Sequence, residues 1–240
     1  MKNKQRRAFT LAEVLIALVI IGVVAAITVP VIHANIQKER TIARTKKAYS
    51  VLSQMIYMSK YENGPIEEWY ETAEKNAPRY YELFFKPYFH SSVACTDYKD
   101  CGYDTVTPWK SPNGSVYNWY LSNEQKSRVF FYMSDGTFVA VQTGSYPCVQ
   151  YDDNGNCIKS ELAYAKEPTI IFDINGSQKP NIIGKDVFFM QFSNEKGTIP
   201  YCNKYSVASV NNSCKRKGNG HCCLKKMIND SWDIKSDYPL

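Results

Sequence analysis

Glu13 is the one formally charged residue in a long apolar segment near the start of the chain, residues 9–32. Residues 14–32 supply 19 successive uncharged positions, and about 20 such residues cross the hydrocarbon core of a bilayer as a helix. A carboxylate inside a membrane segment is costly unless it has a partner, so Glu13 is predicted to be functional. An ordinary membrane anchor that tolerates a glutamate near its edge is the alternative.

Cysteines form the second group of residues with a chemistry of their own. All eight lie on the C-terminal side of the apolar segment: Cys95, Cys101, Cys148, Cys157, Cys202, Cys214, Cys222 and Cys223. An even number beyond such a segment predicts an oxidising compartment and disulfides. Cys95 with Cys101, and Cys148 with Cys157, would close short loops. The last four are expected to pair among themselves, and their connectivity stays open.

Structural zinc is the alternative for the last four cysteines and His221. Zinc sites usually bring two cysteines within about two to four residues of each other along the chain. Here the intervening segments have eleven, seven and no residues. The spacing therefore favours disulfides over zinc.

Oxygen ligands for a hard cation are present in one later segment, as Asp173, Asn175 and Asp186. The twelve-residue calcium-binding pattern with its terminal glutamate is absent, and Asp-x-Asn-Gly forms a good turn without metal. A turn is therefore predicted here. Residues 152–155, which end in Asn-Gly, are predicted to close a hairpin. We expect no metal.

Signatures of catalysis are missing from the sequence. There is no G-x-S-x-G, no phosphate-binding GK[ST] and no H-E-x-x-H, and the three histidines stand far apart. The chain is thus not expected to be an enzyme or to carry a cofactor. A basic cluster near the C-terminus is interpreted as solvated surface, so nucleic acid is not an expected partner. Its members are Lys215, Arg216, Lys217, Lys225 and Lys226.

A single long helix is predicted to carry the apolar segment and continue beyond it. Apolar residues recur at offsets of seven, three and four, and Asn63-Gly64-Pro65 is a strong stop. The stripe consists of Ile42, Tyr49, Leu52 and Ile56. The helix should cover residues 9–62, with Pro30 kinking it rather than ending it. The membrane-spanning part of this helix would end at about residue 32.

The remaining residues, 65–240, are predicted to form one head of mixed helix and strand. Two short aromatic-rich helices are expected over residues 66–90 as a layer covering a sheet. Residues 127–133 and 137–142 flank Asp135-Gly136, which predicts a β-hairpin. Residues 168–174 and 187–192 are two further strand candidates. The predicted fold class is therefore α+β, with the long helix packed on an antiparallel sheet that disulfides staple.

The N-terminal residues Arg6-Arg7-Ala8, followed by FTLAEVLIALVIIG, resemble the leader segment of the type IV pilin and type II secretion pseudopilin superfamily. The resemblance implies that a prepilin peptidase removes the basic leader, residues 1–8, between Ala8 and Phe9. Ala8 stands where the family usually has glycine, and it is small enough for the same pocket. Phe9 would then be the methylated N-terminus, Glu13 the fifth residue, and Pro30 a position that the family shares.

Filament assembly is the function that this resemblance implies. Copies of the chain and related pilin subunits would bundle their apolar helices, with Glu13 meeting the amine of Phe9 on a neighbour. Before assembly the chain would be a single-pass inner or cytoplasmic membrane protein, its N-terminus cytoplasmic and its head outside, served by an inner-membrane assembly platform. Loss of the leader leaves 25 basic against 23 acidic residues, so the global charge indicates no polyanionic partner.

Three alternatives stay open at this point. Within the superfamily, residues 172–192 resemble the D-x-N-G…P-N…G-x-D-x-F loop of major pseudopilins, which favours a pseudopilin over a type IV pilin for adhesion, motility or DNA uptake. From another class, the chain could be a non-polymerising, single-pass anchored binding module. A secretory signal peptide is less favoured, because it would leave Glu13 without a use.

Overall fold

A computed structural model of the chain describes residues 10–73, 76–89, 92–122, 127–145, 148–152, 157–160 and 163–239. It divides into two compact units, Met1–Arg40 and Thr41–Leu240. Among the described residues, the second unit contains the C-terminal part of a long helix, a six-stranded antiparallel sheet and several short helices. The architecture is α+β and pilin-like, as predicted.

Helix α1 spans Leu11–Asn63 and continues through Pro30. Six of its residues are buried, all of them beyond residue 40: Thr45, Ala48, Leu52, Met55, Ile56 and Ser59. Ile42 and Tyr49 of the predicted stripe pack partly buried against the same core. The helix ends where Gly64 adopts a positive φ of 78°, a conformation that costs glycine little. The predicted stripe and stop are both confirmed.

Short helices follow α1 and also lie near the end of the chain. They are α2 (Trp69–Thr72), α3 (Ala77–Phe84), α4 (Val207–Ser213) and α5 (Cys223–Asn229), with 3-10 turns at Ile66–Glu68 and Lys86–Tyr88. Asn76 caps α3 by accepting a hydrogen bond from the Arg79 N–H at 3.1 Å. The two helical segments predicted over residues 66–90 are thus present, whereas α4 and α5 were not predicted.

The main sheet has the strand order β1-β2-β3-β6-β7-β8, with every neighbouring pair antiparallel. Its strands are β1 (Val93–Cys95), β2 (Arg128–Tyr132), β3 (Phe138–Ser145), β6 (Ala163–Asp173), β7 (Val187–Ser193) and β8 (Gly197–Pro200). A separate antiparallel pair consists of β4 (Cys148–Tyr151) and β5 (Cys157–Ser160). The turn predicted over residues 152–155 falls mostly outside the described residues.

The β2–β3 hairpin forms where Asp135-Gly136 predicted it. Tyr132 lies opposite Phe138 in the register, and the Gly136 N–H donates to the Met133 carbonyl at 3.0 Å. Gly136 has a φ of 83°, which explains why glycine suits this turn. The strand candidates over residues 168–174 and 187–192 are confirmed as the C-terminal part of β6 and as β7.

One face of the sheet is covered by α1 and the aromatic helices. Alternate strand residues such as Val139 and Phe172 point to this face, as the period of two requires. Trp69 stacks on Phe84 with ring centroids 4.6 Å apart, and Phe131 lies 5.3 Å from Tyr81. The aromatic layer predicted over the sheet is therefore confirmed.

The opposite face is covered as well, by the irregular segment between β1 and β2. Trp109, Trp119 and Leu121 from this segment are buried against Phe130 and Phe138 of the sheet. Trp109 and Trp119 stack with ring centroids 5.6 Å apart. This second layer was not predicted, because a segment without helical or strand periodicity gives no sequence signal of what it covers.

Candidate functional site

The first site is the N-terminal part of α1, within the unit Met1–Arg40. Its large apolar side chains, from Leu11 to Ile36, are between 40% and 78% exposed. By length and composition, α1 is apolar enough to cross a membrane. Apolar area left in water is unfavourable by about 25 cal/mol per Å². These side chains therefore require lipid or other protein helices around them.

Thr10 and Glu13 form a reciprocal pair at the start of α1. The Thr10 N–H and hydroxyl donate to Glu13 Oε2 at 2.8 and 2.9 Å, and the Glu13 N–H donates to Thr10 Oγ1 at 3.2 Å. This is a capping box, in which an N-terminal threonine and a glutamate three residues later satisfy each other's backbone N–H groups. The T-x-x-E spacing was visible in the sequence, and this signal was missed.

The capping box gives Glu13 a local function that is independent of any other molecule. One carboxylate oxygen, Oε2, accepts both hydrogen bonds from Thr10. Glu13 Oε1 accepts no hydrogen bond from a described residue. A glutamine at position 13 would preserve the cap while removing the charge, since the capping box accepts either residue. This difference allows the local function to be separated from any intermolecular one.

Residues 3–29 match the family model described as the prokaryotic N-terminal methylation motif. The chain carries this motif. The match supports a type IV pilin-like or pseudopilin subunit, and it does not distinguish between the two. Comparisons with curated proteins and with solved structures found no match. The family evidence therefore concerns the N-terminal segment, and the head is interpreted from its own geometry.

The processing residues lie partly outside what the structure describes. Ala8 and Phe9 fall among the undescribed residues 1–9, so cleavage between them and methylation of Phe9 stay predictions. Pro30 lies inside α1, and its part in assembly likewise stays a prediction. Glu13 is described, and its pairing with a second chain stays a prediction.

The second site is the loop between β6 and β7, which carries the acidic residues considered above as cation ligands. Asp173 is fully buried at the end of β6. Its Oδ2 accepts from the Tyr103 hydroxyl at 3.1 Å and from Trp109 Nε1 at 3.2 Å. Burial, and next the charge of Asp186, raises the pKa of Asp173 well above its ordinary value. Tyr103 and Trp109 were not predicted as its partners.

Asp186 organises the same loop from the other side. Its two carboxylate oxygens accept from the backbone N–H groups of Asn181 at 2.8 Å and Ile182 at 2.5 Å. Asn181 has a positive φ of 54°, so these bonds hold a conformation that asparagine tolerates better than most residues. Burial raises the pKa of Asp186 to about 6.

The loop forms a turn around Asn175, as predicted. The Asn175 N–H lies 3.4 Å from Asp173 Oδ1, and Asn175 Nδ2 donates to the Gln178 carbonyl at 2.8 Å. Within the described parts of the chain, no cluster of three or more histidine, cysteine or acidic residues could hold a metal ion. Asp173 and Asp186 instead receive hydrogen bonds from protein donors, which accounts for both acidic residues structurally.

Three disulfides join described residues in two parts of the head. Cys95 bonds Cys101, with their Cα atoms 5.4 Å apart. In the C-terminal region, Cys202 bonds Cys222 and Cys214 bonds Cys223. The zinc alternative for these four residues therefore has no free thiolate to build on. Cys148 and Cys157 lie on the paired strands β4 and β5, but their side chains are outside the described set. Their disulfide stays a prediction.

His221 packs against three aromatic rings beside the Cys202–Cys222 disulfide. Its ring centroid is 5.0 Å from those of Tyr117 and Phe189 and 6.4 Å from that of Tyr201. Its Nε2 is buried without a hydrogen-bond partner among the described residues. Burial lowers the pKa of His221, so the ring serves as a neutral packing group.

The C-terminal tail is fixed by Lys226, which was interpreted from the sequence as part of a solvated basic cluster but is buried in the structure. Lys226 Nζ lies 3.2 Å from Asp230 Oδ2 and 2.9 Å from Asp237 Oδ2. The Trp232 ring packs 5.8 Å from Tyr49 of α1, and Tyr238 is buried. The tail therefore closes the head onto α1, which accounts for its aromatic and acidic residues.

Proposed function

We propose that this chain is a structural subunit that polymerises through its N-terminal helix into a pilus or pseudopilus filament. The observation that supports the proposal is a carboxylate at the start of an apolar helical segment whose large side chains are exposed and which matches the methylation motif. A plain anchor needs the apolar side chains and can use the helix cap, but an uncharged glutamine would supply that cap equally well. A subunit that bundles with its copies can use the charge to select one axial register.

The partner of Glu13 in this proposal is the amino group of Phe9 on a neighbouring copy. Both charges would leave water on assembly, and a buried charge without its partner is far more destabilising than an exposed one. The Thr10 cap would hold the carboxylate in place while the chain waits in the membrane. Assembly would then add the amine to the oxygen that Thr10 does not bond.

Substitution of Glu13 separates the proposal from a purely local role. Glu13→Gln keeps the capping box and removes the charge, whereas Thr10→Val breaks the cap and keeps the carboxylate. We expect Glu13→Gln to be inserted and cleaved normally but to lose most of the sheared, pelletable polymer. Thr10→Val should lose at most a small part of it. Normal polymer from Glu13→Gln, together with loss in Thr10→Val, would make Glu13 a helix cap only.

Processing is tested separately by sequencing the N-terminus of membrane-extracted protein. We expect it to begin at Phe9 with a methylated amine, because the basic residues end at Arg7 and the apolar segment begins there. A start between residues 26 and 35, with the apolar segment missing, would replace this interpretation by a secretory signal peptide. An uncleaved chain that never polymerises would favour the anchored binding module.

A pseudopilin of a type II secretion system is the form of subunit that we favour. The β6–β7 loop, which resembles that of major pseudopilins in sequence, is the specific observation that supports it. In this form the partners are copies of the chain, related pilin subunits, a prepilin peptidase and an inner-membrane assembly platform. A type IV pilin would be favoured instead if the polymer extends from the cell surface at native expression.

A further inference from the structure

Positive charge is concentrated in the disulfide-linked C-terminal region. Residues 201–229 include six basic residues and no acidic one. Lys226 is neutralised by Asp230 and Asp237, and Lys204 lies 3.9 Å from Glu167. The other four form what we call the basic knot: Lys215, Arg216, Lys217 and Lys225.

The basic knot is held in one conformation by its surroundings. Two disulfides, Cys202–Cys222 and Cys214–Cys223, close on either side of it. The Gly220 N–H donates to the Ser213 carbonyl at 2.9 Å, and a Cβ at Gly220 would lie 2.6 Å from the Ile183 carbonyl oxygen. A surface already ordered in this way loses little conformational entropy when it binds.

The charges of the basic knot are not compensated within the described parts of the head. Lys215 and Lys225 donate to the neutral amides of Asn212 and Asn203 at 3.0 and 3.2 Å. Arg216 and Lys217 are exposed, and neither forms an ion pair with a described residue. Four cations on one rigid surface therefore attract an anionic partner.

Negative charge is concentrated where α1 ends. Residues 61–74 contain five glutamates and no basic residue. Four of them are described and exposed, and we call them the acidic corner: Glu62, Glu67, Glu68 and Glu71. Glu62 accepts from the Tyr88 hydroxyl at 2.8 Å and Glu67 from the side-chain amide of Asn194, which are neutral donors. Glu62 and Glu67 are thus bonded to neutral donors, while the Lys60 ammonium donates to the Asn194 carbonyl at 2.6 Å.

The acidic corner and the basic knot lie at opposite ends of strand β7. At its C-terminal end, Asn194 accepts from the Ile66 N–H at 3.0 Å. Before its N-terminal end, a Cβ at Gly184 would lie 2.5 Å from Cys223 Sγ. A strand of seven residues is about 20 Å long, which is about two Debye lengths at physiological ionic strength. The two charged surfaces therefore cannot neutralise each other within one head.

Each charged surface also has exposed apolar side chains beside it. Tyr57, Met58 and Tyr61 of α1 lead into the acidic corner and are 73%, 50% and 84% exposed. Tyr205 and Val207 lead into the basic knot and are 56% and 66% exposed. Protein interfaces combine an apolar interior with a charged rim, and the acidic corner would repel a nucleic acid. The pattern favours a protein partner.

We propose that the acidic corner of one head docks on the basic knot of a second copy of this chain. The inference rests on the proposed function as a polymerising subunit and names the head surfaces that meet. Because the two surfaces differ, the contact is heterologous, and each copy still offers one free surface after the other is used. Such contacts repeat into an open polymer rather than a closed dimer.

Charge reversal at each surface tests the docking. Glu68→Lys with Glu71→Lys cancels the net negative charge of the acidic corner, and Arg216→Glu with Lys217→Glu cancels the net positive charge of the basic knot. We expect each double variant to give about tenfold less pelletable polymer than the native chain, because the electrostatic attraction between the two surfaces would be lost. Coexpression of the two double variants should recover polymer, since each then supplies the surface that the other lacks.

Two controls keep the result interpretable. Arg44→Glu with Lys99→Glu changes the net charge as much as the knot variant does, at exposed positions elsewhere, and should leave the polymer yield unchanged. Urea unfolding should show that all variants have heads as stable as the native one. Normal polymer from both charge-reversed variants, or no recovery on coexpression, would overturn the docking.

The outcomes also separate this inference from the proposed function. If Glu13→Gln abolishes polymer while both charge-reversed variants polymerise normally, the subunit function stands and the head docking fails. If the native chain forms no polymer, the function fails and the docking fails with it. Mobility-shift binding of DNA that Arg216→Glu with Lys217→Glu abolishes, with polymer unchanged, would assign the basic knot to a polyanion instead.

Discussion

The two parts of helix α1 have the same backbone structure and opposite surroundings. Beyond residue 40, Leu52 and five other residues are buried against the sheet and its aromatic cover. Before residue 37, large side chains such as Leu18 and Ile27 are 60% and 66% exposed. The chain itself buries the first group. The second group needs lipid or other copies, so the part of α1 that defines the function is the part that the monomer leaves uncovered.

The carboxylates of the two regions differ in how far along the sequence their hydrogen-bond donors lie. Glu13 is held by Thr10, three residues away, through the geometry of one helical turn. Asp173 is held by Trp109 and Tyr103, 64 and 70 residues away in sequence. The Thr10–Glu13 cap forms within one helical turn and does not depend on what surrounds the helix. The hydrogen bonds to Asp173 form only in the folded head. The Glu13 carboxylate is therefore available to a new partner, and that of Asp173 is not.

Matched leucine truncations should show the largest difference between the two parts of α1. Leu52 is fully buried, so Leu52→Ala should lower the free energy of unfolding of the head by roughly 2–5 kcal/mol. Leu18→Ala should change it by less than about 0.5 kcal/mol. Urea unfolding of the detergent-solubilised chain, followed by tryptophan fluorescence, measures both. Equal losses would mean that the exposed part of α1 contributes to the stability of the head.

An intermediate effect is expected from the pH dependence of the buried carboxylate Asp186. Its pKa is raised from 3.8 to about 6 in the folded head, so the folded chain keeps a proton that the unfolded chain loses between these values. The resulting stabilisation is complete below about pH 4 and is lost as the pH rises through 6. The stability of the native chain relative to Asp186→Asn should therefore rise, by an amount on the order of 1–3 kcal/mol, as the pH falls from 7 to 4.

The matched control for Asp186 is the carboxylate of the other region. Glu13→Gln should give a head whose unfolding follows the native pH profile, because Glu13 makes its hydrogen bonds within one turn of the exposed helix. Both profiles come from urea unfolding at several pH values. A flat difference between native chain and Asp186→Asn would show that the buried carboxylate titrates as it does in water.

The smallest effect concerns an exposed ion pair between α1 and the β2–β3 hairpin. Lys47 Nζ lies 2.8 Å from Asp135 Oδ2, but the Lys47 side chain is 60% exposed. Lys47→Gln should therefore lower the free energy of unfolding by less than about 1 kcal/mol, and the difference should vanish in 1 M salt. A loss above about 2 kcal/mol that persists in salt would mean that this pair fixes α1 on the sheet.

Sequence patterns predicted the elements whose signal is local. The apolar segment, the helix that continues through Pro30, the hairpin at Asp135-Gly136 and the strand over residues 187–192 each follow from periodicity or turn chemistry within about 20 residues. The candidate residue Glu13 was visible for the same reason, since a single charge in an apolar segment needs no tertiary information. Its cap with Thr10 was equally local, and it was missed.

Contacts between residues far apart in sequence became visible only in the tertiary structure. The cover of Trp109 and Trp119 over the second face of the sheet, the pairing of Cys202 with Cys222 and of Cys214 with Cys223, and the donors to Asp173 belong to this group. Periodicity states which face of an element is apolar but not which distant segment will cover it. That α1 is apolar and charged at one point follows from its own residues, because both are properties of neighbouring positions. The partners in the head depend on packing, which brings together residues that no local pattern connects.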